Sequence, residues 1–124
     1  MAEREITVNR ILERSLLYDF YGELLTAHQK EIYEEVVLGD YSLSEVADAR
    51  GISRQGVHDL VRRCDRALAG YEEKLHLVKR FLETNAQVSE IQEQVGHYRE
   101  TRDDAHLERI EELCDRILEE MREE

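Results

Sequence analysis

"YSLSEVADARGISRQGVHDLVRR", Tyr41 to Arg63, carries two signals that start helices and one residue that forces a turn between them. Ser42 with Glu45 three positions on has the spacing of a capping box, in which a hydroxyl accepts a first-turn backbone N–H and the acid reaches back. Ser53 offers the same N-cap chemistry again. Gly51, between the two, takes up positive φ without the penalty a Cβ would bring. Two short helices, Leu43 to Arg50 and Arg54 onward, joined by a three-residue turn that begins with glycine, define a helix-turn-helix unit. Val46 and Ala47 of the first helix and Ile52, Val57 and Leu60 beyond the turn are the expected packing residues. Alanine at the crossing lets the two helices approach closely.

At about 100° per residue, Val57, Leu60, Val61, Cys64 and Leu68 share one arc of the second helix. Arg54, Gln55, His58, Asp59, Arg62, Arg63 and Arg66 occupy the other. In DNA readers of this type, the first residues of the second helix meet base edges and nearby cations meet phosphates. That analogy makes Ser53, Arg54, Gln55 and His58 the reading positions and Arg50, Arg62 and Arg63 the phosphate clamps, with Arg66 further along the same face.

The local sign of charge supports this assignment. The chain has a formal net charge of -12, but between Arg50 and Arg66 five arginines face only Asp59 and Asp65. Most of the acidity lies beyond Leu82. A basic face can thus hold phosphates while the acidic remainder suppresses indiscriminate binding.

Outward from the central unit, every element reads as helix. Ile11, Leu12, Leu16, Leu17, Phe20, Tyr21, Leu24 and Leu25 recur at helical spacing and predict a helix over Glu5 to Leu25, which Gly22 weakens only locally. Thr26 with Gln29 is a second capping box, opening a helix to about Leu38 with Ile32, Tyr33, Val36 and Val37 inward; Gly39 and Asp40 end it. The helix from Arg54 meets no clear stop before about Leu82, since Gly70 alone costs about 1 kcal/mol against alanine. Thr84 and Asn85 interrupt the pattern. A stripe of Val88, Ile91, Val95 and Tyr98 follows. Thr101 and Asp104 then offer another capping box, before Leu107, Ile110, Cys114, Ile117 and Met121 recur at spacings of three and four.

The fold class expected is therefore all-α, with a helix-turn-helix domain over residues 1–82 and an acidic helical extension over 83–124. Proline is absent and 37% of residues are charged, a composition suited to long exposed helices. No apolar run approaches the roughly 20 residues that cross a bilayer, and "MAEREITVNR" lacks the apolar core of a signal peptide, so a cytoplasmic location is expected. Cys64 and Cys114 have no second cysteine nearby, which argues against a zinc site or a disulfide framework; each is expected to be a small buried hydrophobe. No phosphate-binding G-x-x-x-x-G-K-[ST] or metal-binding H-E-x-x-H is present, and the five histidines are scattered. The expectation is a non-enzymatic protein with no cofactor and no metal.

"LLYDFYGELLTAHQKEIYEEVVLGDYSLSEVADARGISRQGVHDLVRRCDRALAGYEEKLHLV" resembles the bacterial YlxM family of DNA-binding proteins, whose fold is similar to region four of sigma factors. The likeness covers about Arg14 to Leu82. It is most specific in "LYDFYGELLT", "DYSLSEVA", "GISRQGVHD" and "YEEKL". It implies a role in the signal recognition particle pathway, through contact with the particle's RNA, its GTPase or the receptor. The chain departs from the family pattern at Gly56, where alanine is usual, and in a longer acidic C-terminus. An RNA target would shift contacts to phosphates, loops and bulges, because the A-form major groove is too narrow for Arg54 and His58 to read. Two other classes remain open: a regulator reading duplex DNA, and a protein-only interaction module. The last apolar stripe, with Leu68, Tyr71, Leu75, Val78 and Leu82, also favours a homodimer.

Overall fold

The computed structural model describes the backbone of residues 2–122 and the side chains of residues 10–122. Met1, Glu123 and Glu124 lie outside the described residues. All regular structure among them is helical. The six α-helices are α1 (Ala2–Tyr21), α2 (Ala27–Tyr33), α3 (Leu43–Arg50), α4 (Arg54–Leu75), α5 (Leu77–Thr101) and α6 (Ala105–Arg122). A 3₁₀ turn, Gly22–Leu24, follows α1, and a π-helical turn, Glu34–Leu38, extends α2. The chain divides into two compact units, Met1–Val78 and Lys79–Glu124.

In the first unit α4 is the central helix, on which α1, α2 and α3 all pack. Tyr21, Ile32, Tyr33, Val46, Val57, Cys64 and Leu68 form the fully buried heart of its core. Of the two cysteines, only Cys64 behaves as the buried hydrophobe expected of both; Cys114 is exposed. Ile52, expected to pack, is 38% exposed, because the turn carries its side chain outward before α4 begins. Gly22 does more than loosen α1. A Cβ there would come within 3.0 Å of the Tyr18 ring, which lies over the bare backbone and stacks on Tyr33 with centroids 5.5 Å apart.

Three joints decide the element boundaries. Thr26 opens α2 with both halves of the capping box: its hydroxyl accepts from the Gln29 backbone N–H at 3.2 Å, and the Gln29 side-chain oxygen Oε1 accepts from the Thr26 N–H at 3.0 Å. The second joint corrects the expectation of one helix from Arg54 to Leu82. The chain passes unbroken through Gly70 and turns instead at His76, which adopts φ 57°. The cause lies on another helix. The Tyr21 hydroxyl donates to the Glu72 carboxylate at 2.6 Å and accepts from the Leu77 N–H at 3.1 Å, while the same carboxylate accepts from the Val78 N–H at 2.9 Å. Glu72 and Tyr21 thus satisfy the first donors of α5. Conversely, Thr84 and Asn85 do not stop α5.

The third joint lies in the second unit, an antiparallel pair of helices. Here Thr101 belongs to α5, and the donor of the first turn of α6, Ala105 N–H, is taken by the Asp103 carboxylate at 3.0 Å. The Thr101–Asp104 capping box is replaced by this Asx arrangement. Arg109 reaches Glu90 at 2.8 Å, and His106 meets Gln94 at 2.7 Å.

Candidate nucleic-acid interface

The helix-turn-helix geometry follows from local chemistry. The Ser42 hydroxyl accepts from the Glu45 N–H at 3.1 Å and starts α3. Gly51 ends it at φ 66°, in the left-handed region, and the Ile52 N–H returns to the Ala47 carbonyl at 3.1 Å. The Ser53 hydroxyl then accepts from the Gly56 N–H at 2.9 Å, so α4 starts within a few residues of the end of α3. Val46 and Ala47 pack beneath Val57 and Val61, which leaves the opposite face of α4 in solvent.

The eight residues singled out from the sequence separate into three groups. Arg54, Arg62, Arg63 and Arg66 are exposed along the outer face and form no ion pair among the described residues. Gln55 and His58 are also exposed, but the Gln55 amide donates to Asp59 at 2.9 Å, and His58 stands 3.9 Å from the same carboxylate. Ser53 and Arg50 serve the fold. The hydroxyl of Ser53 is taken up by its cap, and the Arg50 guanidinium donates to Glu31 at 2.8 Å and to Glu35. Arg50 therefore fastens α3 to the α2 region rather than standing free as a phosphate clamp.

Asp65 is equally committed. Arg14 donates to it twice, at 3.1 and 2.7 Å, and the Tyr33 hydroxyl donates at 2.6 Å. Burial pushes the Tyr33 phenol well above its ordinary value, with the Asp65 hydrogen bond and charge adding to it. Burial also raises the Cys64 thiol, as suits an unreactive core residue. The charge of the outer face is thus four arginines against Asp59, a local excess of positive charge in which neither Arg50 nor Asp65 takes part. An open cleft of about 740 Å³ adjoins it, lined by Arg10, Arg14, His58 and Arg62 with the acids Glu13 and Asp65, over a floor of Leu17, Val36, Leu43 and Val61. Nothing in the sequence singles out Arg10 and Arg14. Only the helical phase of α1 against α4 brings them here.

Residues 8–112 match the model of the UPF0122 family, described as "Putative helix-turn-helix protein, YlxM / p13 like". The chain belongs to this family. It is 44% identical over 107 residues to the UPF0122 protein of Thermoanaerobacter sp. (strain X514), covering 86% of this chain and 92% of the relative. It is 51% identical over 79 residues to that of Caldanaerobacter subterraneus subsp. tengcongensis, covering 64% and 68%. It is 38% identical over 109 residues to that of Bacillus pumilus, covering 87% and 99%. The UPF0122 match runs through the whole of α5 and into α6, so most of the acidic extension is also family sequence. Among the described residues no helix is long and apolar enough to cross a membrane, and no cluster of three metal-ligating side chains occurs.

Proposed function

We infer that this UPF0122 protein is a non-enzymatic, cytoplasmic regulator that binds nucleic acid through the outer face of α4. The observation that carries this reading is the row Arg54, Arg62, Arg63 and Arg66. These four cations stand in solvent without ion pairs among the described residues, in a chain that is otherwise strongly acidic. Unpaired surface arginines of one sign repel one another, and a phosphate backbone relieves that repulsion while releasing counterions. With Ser53 and Arg50 occupied by the fold, Arg54 and His58 are left to approach bases, and Arg62, Arg63 and Arg66 to hold phosphates.

The resemblance to YlxM proteins directs this activity to the signal recognition particle pathway, with the particle's RNA as the first target. The site modulates assembly and catalyses nothing. The test compares binding to signal recognition particle RNA with binding to a random duplex DNA of equal length across a salt series. Arg54→Ala/Arg62→Ala is the control. RNA preference that disappears in the double variant, together with a salt slope shallower by about 0.7 to 0.9 for each phosphate no longer held, is the expected result. Binding to neither polymer at moderate salt would overturn the reading and leave recognition of the particle's GTPase or its receptor by protein contacts alone. A strong preference for one duplex sequence, with each wrong base pair costing about 1–3 kcal/mol, would instead make the protein a transcription regulator.

A further inference from the structure

The second unit is amphipathic as a whole, and only part of its apolar surface is used within it. Among its described residues Leu113 alone is fully buried. The half-buried positions Thr84, Gln87, Glu90, Ile91, Gln94 and Tyr98 of α5, and His106, Arg109, Ile110 and Ile117 of α6, mark the sides on which the two helices meet. At 100° per residue, Val88 and Val95 lie about 90° round α5 from that meeting line, and Leu107, Cys114, Leu118 and Met121 lie about 90° round α6. The rotation has the same sense on both helices. Because the helices are antiparallel, both stripes emerge on one face of the hairpin. Its opposite face carries Glu83, Glu93 and His97 beside Glu112, Arg116 and Glu120.

Two features of this face identify its occupant. The side chains recur at heptad spacing, Val88 to Val95 and Leu107 to Cys114 to Met121, which is the repeat of a helix seam that meets other helices over its length. Their exposures run from 37% for Val95 to 68% for Met121. They correspond to roughly 400–500 Å² of apolar surface per copy, about the apolar share of the ~800 Å² per partner removed from water in a standard stable interface. A hairpin of this size with one buried side chain also falls short of a core that stands alone. A second copy offers a stripe of the same heptad spacing and the same area to cover it. Glu111, at the outer edge of the α6 stripe, falls where an interface has its polar rim.

We propose that the face formed by Val88 and Val95 of α5 with Leu107, Cys114, Leu118 and Met121 of α6 packs against the same face of a second copy. The product is a four-helix bundle, closed by a two-fold axis. This replaces the seam expected from spacing alone, since Ile110 and Ile117 are spent inside the hairpin, and Leu68 and Val78 in the core of the first unit. The inference does not depend on nucleic-acid binding.

The test is sedimentation velocity on the full chain at tens of micromolar, for the unaltered protein, Val88→Glu, Leu118→Glu and, as a control on the first unit, Leu12→Glu. Burying an unpaired carboxylate is strongly unfavourable, so each of the first two variants should weaken dimerisation at least a hundredfold; Leu12→Glu should leave it unchanged. Labelling of the exposed Cys114 by a maleimide gives a second readout that needs no substitution. Its rate should fall about tenfold as protein concentration rises through the dimerisation range. A monomer at every concentration overturns the proposal. So does a dimer that survives both glutamates while Cys114 stays equally reactive throughout. If a glutamate variant loses its helicity, the Cys114 rates of the unaltered protein decide.

Discussion

Asp65 shows how one side chain can sort the charge of a helix surface. It points inward and is occupied by Arg14 and Tyr33, so that the outer face keeps its arginines. Tyr33→Phe removes one hydrogen bond to a charged acceptor without opening a cavity and should cost about 1.5–3 kcal/mol of unfolding free energy, read by urea denaturation. The raised phenol also fixes a pH dependence. A folded-state value above the ordinary one stabilises the protein below about pH 10, where both states are protonated, and that contribution is lost as pH rises beyond it. Unfolding followed from pH 8 to 11 should therefore show stability falling at the alkaline end, and falling less in Tyr33→Phe. None of this is legible in the residue string. In the sequence Asp65 is one more acid in the local charge balance, and its partners lie 51 and 32 positions away. Arg50 reads as a free cation for the same reason, with its acids 15 and 19 positions back on another helix.

At the level of elements, what the sequence reveals depends on how far each signal reaches. The Thr26, Ser42 and Ser53 caps and the Gly51 turn are visible because cap and capped N–H stand three residues apart, and the helix-turn-helix follows directly from them. The break between α4 and α5 is invisible because it arises from Tyr21, more than fifty residues away, and falls on a histidine with no glycine or proline to announce it. Thr84 and Asn85 mislead in the opposite direction: their helix propensities are weak, but a cost of a few tenths of a kcal/mol each, about 0.5 at most, does not stop a helix that continues on both sides of them. The left-handed conformation of His76 is open to test. His76→Val should lose about 1–2 kcal/mol, since a β-branched side chain is strained at positive φ, whereas His76→Gly should match or exceed the original stability. Thermal unfolding monitored by circular dichroism distinguishes the two.

For the whole molecule, the same charge distribution would act with opposite sign on the two equilibria proposed above. Each copy carries a formal -12, so two copies repel at low ionic strength and salt should tighten their association by screening that repulsion. The proposed phosphate binding to the α4 arginines should be weakened by the same salt. One salt series, read once by sedimentation and once by nucleic-acid binding, should give slopes of opposite sign; parallel slopes would mean that the dimer face is held by ion pairs rather than apolar contact. The aromatic residues add a consequence of another kind. The chain has no tryptophan and six tyrosines, and three of these phenols, Tyr18, Tyr21 and Tyr33, donate to the carboxylates of Glu34, Glu72 and Asp65. A phenol bound to a carboxylate passes its proton along that bond once it absorbs light and emits little. Those three phenols should therefore emit weakly in the folded chain, and tyrosine emission should rise as α1, α2 and α4 part on unfolding in urea, an optical reporter of the core that needs no label.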